Sequence, residues 1–338
     1  MTFTTPRPGP GSRSPGLRIS RHGSTLISIS LALLLAAVLG FVMSTRSSQI
    51  GSPLNAGLDF TGGTSLQLEL RCAASGCDSD QRFGVAAVRQ FLADLPLPPV
   101  DSHPVDLANA SIQVLDGGAG LVVRSAALHP SQTKLLVEKL DARFGPIDQA
   151  GIQLDSIGPL LGAELLRSSV VALLVAFAAV AAYIAIRFSP IYASLALAAL
   201  VHDVLIVCGL FAWLGLLLGV EVDSLFAVAL LTLAGYSVND SVVVFDRIRE
   251  TGRLEPGLSL REQVDRSVTA SLSRSINTSA TTELPIIALA IFSSGGLQWF
   301  GVALAFGIAV GTYSSLCFAP PLLLLLLKRG RLGRQAEA

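Results

Sequence analysis

Apolar positions fall into long unbroken runs near the start of the chain and through its second half, with an alternating and helically spaced stretch between them. Six runs approach the roughly 20 residues that a helix needs to cross a hydrocarbon core. They cover residues 25–43, 168–187, 191–218, 224–245, 276–293 and 300–327. The fifth is the most polar, interrupted by Asn277, Thr278, Thr281, Thr282 and Glu283. The pattern predicts an α-helical membrane protein with six transmembrane helices. A connection as short as Phe188-Ser189-Pro190 implies antiparallel neighbours. Gly301, Ala303, Ala305, Gly307, Ala309 and Gly311 in the last run permit close helix approach.

Residues 44–165, between the first two runs, read as one α+β domain. Residues 64–70 alternate like a strand, and residues 81–95 carry Phe83, Val85, Val88, Phe91, Leu92 and Leu95 at helical spacing. Two short strands, 111–115 and 121–124, flank Gly117-Gly118-Ala119-Gly120, a hairpin signal. Leu135, Leu136, Leu140 and Phe144 make the apolar stripe of a second helix over 131–144, and 151–157 closes as a strand. The order β-α-β-β-α-β is that of a ferredoxin-like fold, in a segment large enough to fold alone.

Composition sharpens this. The chain of 338 residues is 51% hydrophobic and 14% charged, with a mean hydropathy of +0.62, which excludes an ordinary soluble domain. Net charge is zero, so the placement of the cations carries the information. Arg7, Arg13, Arg18 and Arg21 precede the first run, and Arg187 follows the second. Arg247, Arg249, Arg253, Arg261 and Arg266 separate the fourth from the fifth, and Lys328, Arg329, Arg331 and Arg334 follow the last. Six spans put all of them on one side, which the positive-inside rule makes cytoplasmic.

The predicted layout is a cytoplasmic tail (1–24), a first transmembrane helix (25–43), an exported domain (44–165), a five-helix bundle (166–327) and a basic cytoplasmic tail (328–338). Residues 1–16, rich in Pro, Gly, Ser and Arg, read as disordered. The first run is longer than a signal-peptide core and lacks a convincing cleavage site, so it reads as an uncleaved signal anchor. Within the bundle, 247–273 is a cytoplasmic connection. Its Leu258, Leu260, Val264 and Val268 among Arg and Glu suggest a helix lying on the membrane surface. A plasma membrane and an internal photosynthetic membrane fit this layout equally.

Within the apolar runs, Asp240 stands out. A carboxylate in a bilayer span is costly unless it is paired, protonated or hydrated, and so marks a functional site. Arg274 opens the next run and is the candidate partner. Burial and a nearby guanidinium act in opposite directions on proton affinity. A motion that changes their separation would therefore change proton binding, and protonation would bias the motion. One charge crossing 100 mV supplies roughly 2.3 kcal/mol, enough to move a two-state equilibrium nearly fiftyfold. The plainer reading is a static ion pair near the cytoplasmic end, with Arg274 snorkelling. Asn239, Ser237, Thr278 and Thr281 are placed to hold water or orient the pair.

His202 and Asp203 fall near the middle of the third run and face about 100° apart on a helix. Asp203 reads either as a member of the proton path or as one end of an interhelical hydrogen bond. Glu283, in the fifth run, reads as a second intramembrane carboxylate that would extend the proton path, but nine residues from Arg274 it points away from it. Asp246, beside Arg247 and Arg249, reads as the solvated end of a span.

In the domain, Cys72 and Cys77 admit three states: a disulfide in an oxidising compartment, half of a zinc site, or two free thiols. Cys208 and Cys317 read as packing residues. The Gly57-Leu58-Asp59-Phe60-Thr61-Gly62-Gly63 heptad lacks the Lys-Ser/Thr ending of a phosphate loop and reads locally as a tight turn into the first strand. The sequence holds no H-E-x-x-H and no G-x-S-x-G. No catalytic residue, metal site or cofactor is predicted, and no nucleic-acid partner.

That heptad resembles the signature after the first span in the SecD/SecF family of the bacterial protein-export translocase. Ile157-Gly158-Pro159-Leu160-Leu161-Gly162-Ala163-Glu164-Leu165 is similar to the family's lead-in to the second span, and Leu200-Val201-His202-Asp203-Val204 to its third. Residues 235–250 (GYSVNDSVVVFDRIRE), 274–282 and 307–315 (GIAVGTYSS) match the last three spans. The resemblance covers nearly the whole chain and is weakest in the N-terminal tail and the middle of the domain.

It implies a proton-motive-force-driven aid to late protein translocation, within the wider resistance-nodulation-division fold. Gly57, Asp59, Gly62 and Gly63 become the family's motif turn, and Asp240 with Arg274 its membrane charge pair. Glu283 departs from the apolar residue expected there. The implied partners are a SecD-like subunit completing a twelve-span unit, the SecYEG translocon, SecA indirectly, and translocating unfolded polypeptide. The implied location is the cytoplasmic (inner) membrane. The competing reading is half of a proton-coupled small-molecule exporter of the same superfamily, against which the small exported domain argues.

Overall fold

A computed structural model describes residues 18–47, 50–74, 77, 82–99, 107–108 and 110–336. The expected disordered tail, with Arg7 and Arg13, lies outside the described residues. The chain divides into two compact units, one of residues 56–171 and one of the flanking sequence.

A short 3-10 turn (Ile19–Arg21) leads into helix α1 (Gly23–Arg46). The smaller unit then runs α2 (Leu58–Thr61), β1 (Gly63–Glu69), α3 (Val85–Asp94), β2 (Ser111–Leu115), β3 (Gly120–Ser125), α4 (Pro130–Phe144) and β4 (Gln153–Ile157). The sheet order is β2-β3-β1-β4, every pair antiparallel, with Leu68 opposite Leu121 and Leu66 opposite both Val123 and Leu154. Strand alternation sends Leu66, Leu68, Leu121 and Val123 to one face. There they are buried with Val88 and Leu92 of α3 and Leu136 and Leu140 of α4. Beyond β1, Cys72 and Cys77 are joined in a disulfide, and the Arg82 guanidinium donates to the Cys77 carbonyl at 3.1 and 3.2 Å.

Glycine enters this unit for lack of space. Gly62 and Gly63 link α2 to β1 with φ of +66° and +127°. A Cβ on Gly63 would fall 2.4 Å from the Ser125 carbonyl oxygen, and one on Gly62 2.7 Å from Pro159 Cα. The double glycine is thus more than a turn: it lets the backbone at Gly62 and Gly63 lie against the start of the next long helix and the end of β3.

That helix, α5 (Pro159–Arg187), is followed by α6 (Pro190–Leu218), α7 (Ser224–Leu254), α8 (Leu260–Phe292) and α9 (Gly295–Tyr313). A π-helical segment (Ser314–Phe318) joins α9 to α10 (Ala319–Ala336) without a break. Local signals set the starts. Pro190 occupies the first turn of α6, where its missing N–H costs nothing. The Asp223 carboxylate accepts from the Phe226 N–H at 2.9 Å. Ser259 and Glu262 form a capping box on α8. Among the described residues, five helices are long and apolar enough to cross a membrane: Gly23–Arg46, Pro159–Arg187, Pro190–Leu218, Ser224–Leu254 and Gly295–Leu327.

Two features differ from the sequence reading. The fourth span continues as helix to Leu254, and α8 passes unbroken from Leu260 through the polar fifth run to Phe292. No separate surface helix forms in the connection, because Val264 and Val268 are fully buried with Phe245, Ile248, Leu316 and Leu323. Their apolar stripe finds protein to pack on, so it does not need a membrane surface. The smaller unit, 56–171, overlaps most of the expected domain of 44–165 and takes in the first turns of α5. The basic segment from Lys328 continues the backbone helix of α10 to Ala336.

In the larger unit, small residues bring helices together. A Cβ on Gly209 of α6 would meet Ala37 of α1 at 2.2 Å. Beside it, Trp213 Nε1 donates to the Ala36 carbonyl at 2.9 Å.

Candidate functional site

Two carboxylates lie in the interior of the helical unit. Asp203 on α6 is fully buried, and Asp240 on α7 is 6% exposed. Each is held by hydroxyls from other helices. Asp240 Oδ1 accepts from Ser275 Oγ of α8 at 2.7 Å, and its Oδ2 accepts from Ser315 Oγ in the π segment. Asp203 Oδ2 accepts from Ser237 Oγ of α7 at 2.5 Å and from Ser314 Oγ at 2.7 Å. Its Oδ1 lies 2.9 Å from His202 Nδ1.

The His202 ring stacks on Phe318, centroids 4.4 Å apart, while its buried Nε2 has no partner among the described residues. The Ser241 hydroxyl is likewise buried and unpaired there. A second hydroxyl chain crosses the same helices. Tyr236 Oη donates to Ser279 Oγ at 2.8 Å, and Ser279 Oγ lies 2.6 Å from Thr312 Oγ1.

This arrangement follows from the helix surfaces. On α8, Ser267, Ser271, Ser275 and Ser279 recur every four residues and all are buried, which makes one polar stripe facing inward. On α7, Ser237 shares a face with Asp240 three residues on and with Ser241 four residues on. The π segment delivers two consecutive serines to two different carboxylates. Such irregular turns are frequent at functional sites.

The structure assembles only part of the expected group. Asp240, Ser237, Asp203 and His202 are brought together, but Arg274 is not among them. It is exposed, and among the described residues no ion pair joins it to Asp240. The residue next to it takes that place: about 100° round the helix, Ser275 meets the carboxylate. Arg274 instead lines a groove of about 360 Å³ with Tyr183, Arg187, Asp246, Arg247 and Glu250. There Arg187 lies 3.9 Å from Asp246, and Arg247 lies 2.6 Å from Glu250. Asp246, read as a solvated end, is half exposed in this groove.

The remaining expected residues lie apart from the carboxylates. Asn239 is exposed on α7. Thr278 and Thr281 turn back to their own helix, donating to the carbonyls of Arg274 and Asn277 at 2.8 and 2.9 Å. Glu283 is partly buried and meets no hydrogen-bond partner among the described residues. Gly57 and Asp59 lie at the start of α2, Gly62 caps its end and Gly63 opens β1.

Ser275, Ser279, Ser314, Ser315, Tyr236 and Thr312 were missed as site residues. The four-residue spacing of Ser267, Ser271, Ser275 and Ser279 was a readable signal for the first two. Nothing in the sequence announces the π segment that aims Ser314 and Ser315. Among the described residues no group of three or more His, Cys, Asp or Glu could hold a metal ion.

The description "Protein export membrane protein SecD/SecF, C-terminal" matches residues 137–329, and "SecD/SecF GG Motif" matches residues 48–74. Over 307 residues the chain is 46% identical to "Protein translocase subunit SecF" of Prochlorococcus marinus, covering 91% of this chain and 94% of that one. The subunit of the same description from Synechocystis sp. is 41% identical over 294 residues, covering 87% and 89%. The crystal structure of SecDF, a translocon-associated membrane protein from Thermus thermophilus, superposes with a TM-score of 0.73 at 30% identity. That match covers 96% of this chain but only 40% of the SecDF chain.

Proposed function

Since the chain belongs to the SecD/SecF family of protein-export membrane proteins, among its SecF translocase subunits, we propose that it converts proton binding at Asp240 into movement of helices that assists late translocation. It is a multi-pass membrane protein of the cytoplasmic membrane and a transport subunit, not an enzyme. The exporter alternative is thereby set aside.

The observation that carries the proposal is the tie between Asp240 and two helices at once, through Ser275 of α8 and Ser315 of the π segment. A carboxylate accepts both hydroxyls, whereas the protonated acid has a hydrogen of its own to donate and accepts more weakly on the protonated oxygen, which favours reversing or loosening one of those bonds. Protonation thus alters the contacts between α7, α8 and the last helix, which is what a proton-driven movement requires. Exposed Arg274, one residue from Ser275, is the counter-charge that Asp240 would meet in a second arrangement of α8.

The finer layout belongs to the same proposal. The polar half of α8 is the sixth span, and the smaller unit, whose strand and helix order is ferredoxin-like, is exported and meets the moving polypeptide. Both termini are cytoplasmic, as supported by the grouping of Arg187, Arg247 and Arg274 around one groove. The partner is a SecD-like subunit beside the SecYEG translocon, with SecA engaged indirectly. Support comes from SecDF chains, of which this chain matches 40%, and from α5, whose most apolar stretch is almost wholly uncovered.

The test is proton-motive-force-dependent secretion of a labelled precursor with Asp240→Asn beside wild type, at matched complex abundance. Asn keeps the volume and removes the titration. Stalled late translocation is expected. Unchanged secretion would make Asp240 a structural acid and send the proton path elsewhere.

A further inference from the structure

We propose that Asp203 and Asp240 form one coupled protonation unit, switched through the adjacent hydroxyls of Ser314 and Ser315. The idea rests on the reading of Asp240 as the proton-coupling group and extends it to a second carboxylate and a defined link.

Each serine has two acceptors in reach. Ser314 Oγ lies 2.7 Å from Asp203 Oδ2 and 3.1 Å from the Gly311 carbonyl oxygen. Ser315 Oγ donates to Asp240 Oδ2 and lies 3.0 Å from the Thr312 carbonyl oxygen. A hydroxyl has one hydrogen, so at any moment it serves one acceptor well. When a proton binds a carboxylate oxygen, that O–H becomes a donor. The serine oxygen accepts it, and the serine hydrogen turns to the carbonyl three residues back. One O–H bond forms on the carboxyl, the serine keeps its own hydrogen, and no other bond is broken.

The two switches share a backbone. Ser314 and Ser315 are consecutive, and their alternative acceptors, Gly311 and Thr312, are consecutive too. Turning one hydroxyl onto its carbonyl loads a turn whose main-chain bonding is already irregular. That movement carries the neighbouring hydroxyl with it. Asp203 is moreover tied to this segment twice, directly through Ser314 and through His202, whose ring stacks on Phe318 at the segment's other end. Both carboxylates are also joined along α7, since Ser237, which donates to Asp203, sits one turn before Asp240. Low-dielectric surroundings make such a shared network energetically stiff, so a change at one acid is felt at the other.

The other titratable or charged groups on the surrounding helices leave this unit distinct. Cys208 on α6 and Cys317 in the π segment are partly buried thiols. Tyr236 on α7 is engaged with Ser279, and Tyr313 on α9 donates to the Leu26 carbonyl. Arg274 and Glu283 on α8 make no ion pair with either carboxylate among the described residues. Helix α1 carries no ionisable side chain between Gly23 and Met43.

The test is an infrared titration of the protonated-carboxyl bands in the full chain, assembled with its partner in membranes. The variants are D203N, D240N, both together, and S314A/S315A with and without D240N. S314T/S315T, which keeps both hydroxyls, controls for folding. The band that vanishes with D203N reports Asp203. In D240N its proton affinity is expected to change by about threefold or more, a free energy of ~0.7 kcal/mol at RT ln 3. The S314A/S315A background should abolish that change, and S314T/S315T should retain it. An Asp203 band that does not titrate, or whose midpoint ignores residue 240, overturns the proposal. So does a shift that survives loss of both serine hydroxyls, which would mean plain electrostatic coupling. Secretion by D240N decides the export reading separately, so the two can fail independently.

Discussion

Gly62 and Gly162 meet backbone to backbone: a Cβ on Gly162 would fall 2.7 Å from the Gly62 amide nitrogen and 3.3 Å from the Phe60 carbonyl oxygen. The two residues stand 100 positions apart, in the two stretches that border the smaller unit. Their contact fastens the entry of the domain to the helix that leaves it. Gly162→Ala is therefore expected to lower stability by about 1–3 kcal/mol, because rigid backbone on both sides cannot yield. Gly158→Ala, where a Cβ would meet nothing within 4 Å, should cost nothing measurable. Thermal unfolding of the two detergent-solubilised variants beside wild type checks the contrast; equal midpoints would refute it.

Ser275 has no role visible from composition, yet it supplies one of two donors to Asp240. Ser275→Ala leaves a buried carboxylate oxygen without its partner, at a cost of about 1.5–3 kcal/mol if the acid stays charged. The same change at Ser273, which is exposed, should be silent. Comparing the denaturant needed to unfold each variant in detergent would expose any error in this assignment.

The Cys72–Cys77 disulfide closes a loop with a sequence separation of only 5, so its contribution from chain entropy is small, about 2 kcal/mol. Reduction should loosen the unit without unfolding it. Because such bonds persist in oxidising compartments, alkylation of intact cells should label neither cysteine until reductant is added. Labelling of both without reductant would argue against an exported domain.

Helix α8 starts at a pH-sensitive cap. The Glu262 carboxyl sits below the usual carboxylate range because the Ser259 hydroxyl, and then the Ser259 backbone N–H, donate to its charged form. Its folded value being lower than its unfolded one, the cap's stabilisation is present above the unfolded value and is lost as pH falls through the folded one. Hydrogen exchange of the amides around Leu260 should therefore accelerate on acidification, and Glu262→Gln should flatten that dependence. A profile identical in the two proteins would remove the cap from the account.

Much of this was legible beforehand. Strand alternation around Leu66 and Leu68 and helical spacing at Leu136 and Leu140 located the domain's core, because one buried face leaves a periodic trace. The apolar runs located the long helices for a different reason, since a helix set in hydrocarbon is apolar on every side over about 20 residues. The buried acid was equally plain, since a carboxylate amid apolar residues has few structural excuses. Its partner was not. Arg274 and Ser275 are neighbours in sequence, and which one faces Asp240 depends on how α8 is rotated against α7, a tertiary quantity with no local signature. The connection differs for a related reason: Val264 and Val268 carry a membrane-seeking pattern in sequence, and only tertiary packing gives them the end of α7 and the last helix to bury against.

The π segment has one more consequence, for phase. Such a segment is an α-helix carrying one extra residue, so everything beyond it is turned by about 100° relative to an uninterrupted helix. Ahead of it, Ser279 and Thr312 meet; within it, Ser314 and Ser315 reach the two acids; beyond it, Ala319 and Leu323 are fully buried. Deleting a single residue between Ser314 and Phe318 would restore a regular helix and swing Leu323 out of the core. The surplus residue is what lets one continuous rod present hydroxyls and then hydrocarbon to the same interior.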